Sequence, residues 1–154
     1  MELKVLIVET IPAHLRGMEN ILKQAGYEKI FQAKNCKDAL AILEKELDIG
    51  LVISEWDLPD APGLEILEAL KNAGRMEKTQ VFLTFKDKTK EEILKALKSG
   101  ARGFIVKPYK FDIVKQKLAG VALSAPGTPG APSAPESVND AQINSILGKG
   151  PIVQ

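Results

Sequence analysis

One cysteine, one histidine and one tryptophan occur among the 154 residues, and aromatic side chains make up only 5% of the chain. A lone cysteine, Cys36, excludes an intrachain disulfide, and no metal-ligand spacing surrounds it, which fits a reducing compartment. His14 follows Pro12 with no second histidine or cysteine nearby, so it reads as a surface or helix-start residue. No apolar run is long enough to span a membrane, and no cleavage-site pattern follows the apolar stretch at the amino terminus. The expectation is a cytoplasmic protein with no membrane partner. Also missing are a Gly-rich phosphate loop, a nucleophile paired with a base, and zinc spacing. Nothing there marks an enzyme.

The 45% hydrophobic content suffices for one buried core, so one domain with a tail is expected. The net charge of +1 hides an uneven distribution. Residues 1–85 carry 10 Lys+Arg against 14 Asp+Glu, and residues 86–117 carry 10 against 4. The basic stretch lacks interleaved aromatics and places most lysines at outward helix spacing, the mark of a solvated face rather than a nucleic-acid site.

Short apolar runs alternate with helical patterns. KVLIV (4–8), KIFQA (29–33), GLVIS (50–54), QVFLT (80–84) and GFIV (103–106) are strand candidates. Most are apolar at successive positions, as strands covered on both faces must be. Between them Leu15, Met18, Ile21 and Leu22 have helical spacing, as do Ala39, Ile42, Leu43 and Leu47, then Leu64, Leu67 and Leu70, then Ile93, Leu94 and Leu97, and finally Phe111, Val114 and Leu118. Gly26, Gly74 and Gly100 sit where left-handed caps are needed. The pattern predicts a doubly wound α/β fold, (βα)5, with a five-stranded parallel sheet over residues 1–123. In such a fold, ligands bind at the carboxyl ends of the strands.

Residues 124–137 are almost wholly Ser, Ala, Pro, Gly and Thr, a linker in which Pro126, Pro129, Pro132 and Pro135 recur at the polyproline II period. Residues 138–154 carry one short helical signal. Asn139 is a suitable N-cap, Gln142 completes a capping box, Val138 can staple onto Ile143, and Gly148 supplies a stop. Ile143, Ile146 and Leu147 share a face. About two turns are unstable alone in water, so this helix is expected to fold on binding, each large aliphatic contributing roughly 1.5 to 3 kcal/mol before ordering costs.

The strand ends bring Glu9 and Thr10, Glu55, Thr84 and Phe85, and Lys107 and Pro108 toward one pocket. On the runs LIVET, GLVISEWDLPDAPGLEIL and LKSGARGFIVKPY, residues 1 to about 121 resemble response-regulator receivers, the chemotaxis regulator CheY among them, and so a flavodoxin-like fold. In that family an acid pair after the first strand binds magnesium, an aspartate ending the third accepts phosphate, a hydroxyl residue ends the fourth, and a lysine precedes a cis-proline after the fifth. By resemblance the acid pair becomes Glu9 and Thr10, the acceptor position Glu55, and the hydroxyl position Phe85, with Thr84 one residue early and on the other face of its strand. Lys107 and Pro108 keep the pattern, and Phe104 fills the aromatic switch position. Asp57, two residues past Glu55, is counted with Glu9 and Thr10 in the acidic pocket, but it faces outward in the resemblance and is a poor substitute acceptor.

Each departure weakens phosphoryl chemistry. Thr10 removes a charge from a site that should bind a hard cation. Glu55 carries an extra methylene, and ~1 Å of misplacement can cost ~100-fold where in-line geometry matters. Phe85 has no hydroxyl to report a bound phosphoryl group. The resemblance therefore implies a pseudo-receiver, a signalling module rather than an enzyme, with no resident cofactor and weak or absent Mg2+ binding. Either Glu55 pairs with Lys107 as a stand-in for the phosphoryl group, or Glu9, Glu55 and Lys107 merely satisfy one another. Two alternatives stay open: a receiver phosphorylated through an atypical acceptor, and a scaffold presenting the tail helix. VNDAQINSILG resembles the amino-terminal, CheY-binding peptide of the flagellar switch protein FliM and, more loosely, the CheY-binding carboxyl terminus of the phosphatase CheZ. That resemblance implies docking on a receiver face near Lys90, Lys98, Phe104 and Lys117, in this chain, a second copy or another receiver, and partners among signalling or flagellar proteins.

Overall fold

Five runs become five strands because successive residues on each must be buried on opposite faces of one sheet. The computed structural model describes residues 3–86 and 90–123, with the backbone alone at 90 and 120–123. The linker and the tail, with Val138, Ile143, Ile146 and Leu147, lie outside the described residues. The order is β1 (Lys4–Val8), α1 (Pro12–Gln24), β2 (Lys29–Ala33), α2 (Cys36–Lys45), β3 (Ile49–Glu55), α3 (Leu64–Asn72), β4 (Gln80–Phe85), α4 (Lys90–Lys98), β5 (Gly103–Val106) and α5 (Phe111–Leu123). All pairings are parallel, in the order β2-β1-β3-β4-β5. The predicted doubly wound (βα)5 fold is the one observed.

The sheet separates two cores. Val5, Ile7, Ile53, Phe82 and Ile105 meet Leu15, Met18 and Leu22 of α1 and Val114 and Leu118 of α5. Their neighbours along the strands, Leu6, Val8, Val52, Leu83 and Phe104, meet Ala39, Leu43, Ile66, Leu67, Ile93 and Leu97 on the opposite side. This two-sided burial is why the strands read as continuous apolar runs. Among the described residues no helix is long and apolar enough to cross a membrane.

Two details correct the sequence reading. Leu47 was expected on the buried stripe of α2, but the helix stops at Lys45, Glu46 turns extended, and Leu47 is 74% exposed. Arg75 explains the stop: its guanidinium donates to the carbonyls of Leu43 and Glu46 at 2.7 and 3.2 Å, taking acceptors the helix end leaves open. On α3 the fully buried residues are Ile66, Leu67 and Leu70, with Leu64 at the core's margin, because the first turn sits at the helix entry.

The β3–α3 loop is pinned to its neighbours. Asp60 accepts from the N–H groups of Cys36 and Lys37 at 2.8 and 2.9 Å, joining Asn35 in capping α2. Gly63 donates to the Trp56 carbonyl at 2.7 Å, and a Cβ there would overlap the carbonyl oxygen of Glu55, so this close approach admits only glycine.

Candidate functional site

Strand register delivers the site. Val8 pairs with Ser54 and Glu55 with Thr84, so the residues ending β1, β3 and β4 lie side by side. The ladder continues past the strands: Glu9 donates its N–H to Ala33, Trp56 to Thr84 and Lys107 to Phe85, at 3.0, 2.9 and 2.8 Å. These bonds fix the backbone at Glu9, just past Glu55, and at Lys107. The Lys107–Pro108 peptide is cis.

At the centre is the Lys107 ammonium, 3.0 Å from Glu9 Oε2 and 2.9 Å from Glu55 Oε2. Side-chain exposures of 6% for Lys107, 1% for Glu9 and 13% for Glu55 make this a buried triad, unlike a surface pair. The Lys107 Nζ also lies 3.1 Å from His14 Nδ1. An ammonium has only donors, so Nδ1 must accept there. Tyr109 donates its hydroxyl to Glu9 Oε1 at 2.7 Å, and the N–H of Ile11 reaches Glu9 Oε2 at 3.2 Å. Glu55 Oε1 accepts the N–H of Thr10 at 2.7 Å. All four carboxylate oxygens thus have donors.

The two acids are pushed apart in titration. Burial raises Glu9 above the ordinary carboxylate range, and the neighbouring Glu55 adds to this, while Tyr109 and Lys107 pull the other way. Burial opposes ionisation of Glu55 as well, but the Thr10 N–H and Lys107 outweigh it and hold Glu55 below the ordinary range. Two carboxyls in contact titrate as a pair, with Glu55 the more firmly ionised member. Burial drives the Tyr109 phenol upward, so it stays a donor.

Glu9, Glu55, Thr84 and Lys107 are therefore brought together. Thr10 contributes its backbone, since its hydroxyl turns away to the Lys34 carbonyl at 3.3 Å. Asp57, grouped with the acids from sequence, is exposed in a turn bridged to Pro62. Thr84 and Phe85 point to opposite faces, as strand geometry requires. Phe85 stacks on Trp56 with ring centroids 5.4 Å apart. The buried Thr84 hydroxyl lies beside the Tyr109 phenol and lowers it, against a larger opposing effect of burial. Phe104 is buried under Lys117, whose Nζ lies 4.3 Å from the ring centroid.

Sequence reasoning missed His14 and Tyr109. Both had a signal: His14 opens the helix after β1, and Tyr109 follows Pro108 at the end of β5, so each lies within a few residues of a strand's carboxyl end. Lys107, expected in the pocket, is the lysine of the basic stretch that the two carboxylates draw inside.

Residues 5–119 match the response regulator receiver domain. The chain is 27% identical over 125 residues to the chemotaxis protein CheY homolog of Campylobacter jejuni, an alignment covering 81% of this chain and 96% of that protein. It is 28% identical over 116 residues to chemotaxis protein CheY1 of Helicobacter pylori, covering 75% and 94%. The solved chemotaxis response regulator CheY4 of Vibrio cholerae superposes with a TM-score of 0.70 at 25% identity, covering 79% of this chain and 99% of that one. With its fold, its strand-end cluster and a family match over most of its length, the chain belongs to the response regulator receiver domain family.

Proposed function

We propose that this receiver acts in chemotaxis or another two-component pathway through protein contacts and without aspartyl phosphorylation. The observation that carries the reading is the engagement of Glu55: at the family's acceptor position stands a glutamate already bound by the Thr10 N–H at 2.7 Å and the Lys107 ammonium at 2.9 Å. An ionised carboxylate paired this way supplies the negative charge that a phosphoryl group would bring, and it needs no kinase.

The donor set argues against resident magnesium. Magnesium seeks near-octahedral oxygen ligands and keeps several waters. Here Thr10 replaces an acid with its hydroxyl turned away, and the lysine ammonium bridges Glu9 and Glu55. Among the described residues no group of three His, Cys, Asp or Glu side chains is arranged to hold a metal ion.

For partner contact, the relatives' chemotaxis names suggest a signalling partner, and a groove of about 360 Å3 bordered by Phe104, Val106, Pro108, Lys110, Ile113 and Lys117 supports docking of an apolar segment. Ile113, 45% exposed, gives that groove an apolar edge, and three lysines including Lys107 give it positive charge. The FliM-like tail is proposed as such a segment, for this face or for that of another receiver.

Titrating Mg2+ and then beryllofluoride while following Trp56 fluorescence tests the reading. No saturable change is expected from the folded protein. A saturable response to both would show a working phosphoryl pocket and sink the proposal.

A further inference from the structure

Helix α4 is nine residues long, too short to persist without tertiary support. Ile93, Ala96 and Leu97 bury its inner face. Its first turn has a different anchor. The Trp56 indole N–H donates to Glu92 Oε2 at 3.1 Å across 36 residues of sequence. The indole itself is immobilised: Trp56 is 8% exposed, stacked on Phe85 at an interplanar angle of 28°, and its backbone is bonded on one side to Thr84 and on the other to Gly63. Glu92 also sits where the helix dipole favours a negative charge.

We propose that Trp56 is a positioning residue for α4: stacked on Phe85 and bonded to Glu92, it clamps the first turn of the helix to the end of β3, so that α4 keeps its place whatever the state of the Glu9, Glu55 and Lys107 cluster. The chemistry divides at Glu55. That side chain turns to the α1 and α5 side, where it meets Lys107 and the Thr10 N–H, while the next residue turns to the opposite side and takes hold of α4. Phe85 is fully buried against the indole, and its ring fills space that a smaller side chain at this position would leave open. The clamp concerns the same strand ends as the reading above but holds whether or not the carboxylate cluster changes state.

The full chain has one tryptophan and therefore one indole N–H resonance, which reports the bond directly. Amide hydrogen exchange at residues 94–98, taken as a ratio to the amides of β1, reports local opening of α4 apart from global stability. Loss of a hydrogen bond to a charged acceptor predicts that Glu92→Ala moves the indole resonance and raises that ratio about tenfold. Glu92→Gln, which keeps an oxygen acceptor, recovers most of the protection, and Lys107→Met leaves the ratio near that of the wild type. If Glu92→Ala does not fold, Trp56→Phe removes the donor while keeping a ring on Phe85 and must raise the ratio in its place. An unmoved indole resonance, a Gln variant no better than the Ala variant, or a Lys107→Met ratio as high as that of Glu92→Ala would each overturn the clamp. A saturable Trp56 fluorescence response to Mg2+ and beryllofluoride with the α4 ratio unchanged would overturn the phosphorylation-independent reading alone, whereas an α4 ratio that moved with it would overturn the clamp as well.

Discussion

The two ends of the sheet use polar side chains in opposite ways. At the amino end of the strands the more buried contacts reach for backbone: Arg75 takes the Leu43 and Glu46 carbonyls, and Thr79 donates to Ile49 at 2.7 Å, while Arg102 meets the Gln80 side chain at 3.0 Å nearer the margin. The ion pairs there, Lys4 with Glu46 and Asp48, lie toward solvent. At the carboxyl end side chains reach for one another, with two glutamates and a lysine joined below the surface and a half-buried histidine and tyrosine bonded to them. Bonds to backbone carbonyls terminate a helix or close a loop, whereas a buried charge cluster costs desolvation and adds little net stability. The second arrangement therefore marks the functional end, and the first marks architecture.

Breaking the buried cluster should have the largest effect. Lys107→Met leaves Glu9 and Glu55 facing each other without their cation, and a loss of about 3 kcal/mol is expected in urea unfolding. Replacing Glu55 with Leu in the same chain should recover part of that loss, because no second buried charge then remains beside Glu9. A double variant less stable than Lys107→Met alone would contradict the account of the cluster. At the opposite end, Arg75→Ala should cost about 2 kcal/mol through two lost bonds from a charged donor, with amide exchange increasing first at the end of α2.

Acid separates the contributions further. Asp60 is held below its ordinary value of 3.8 by the N–H groups of Cys36 and Lys37. A depressed acid contributes stability that is fully present above its unfolded value and disappears as pH falls through the folded one. The stability gap between wild type and Asp60→Asn should thus be constant above the ordinary carboxylate range and close below it. Glu9 has the opposite sign: raised by burial, it costs stability as pH rises from its unfolded value to its folded one, so Glu9→Gln should remove that decline. The smallest effect is expected for Lys4→Met. Its partners sit at the surface, and any difference seen at low ionic strength should vanish in high salt.

The fold was legible because two-sided burial writes itself into the chain as apolar runs at strand spacing and glycines at helix ends. Gly26, Gly74 and Gly100 all take positive φ, at 103°, 69° and 113°. Glu9, Glu55 and Lys107 were legible because each ends a strand, and topology alone brings strand ends together. Leu47 was misread because the helical period ran on past a stop imposed by Arg75, which sequence periodicity does not register. His14 and Tyr109 escaped because a histidine in a first helical turn and a tyrosine after a proline are ordinary residues until the fold aims them at one lysine and one carboxylate.

The bond from Thr10 to Glu55 is carried by the main chain, and this affects how the site can drift or be rebuilt. Every substitution at position 10 except proline leaves that donor in place, so the anchoring of Glu55 is insulated from side-chain change at its neighbour. An acid can be introduced at position 10 to restore the family's pair without first dismantling what holds Glu55. An acid at position 10 is therefore expected to leave a folded protein with Glu55 still held by the main chain.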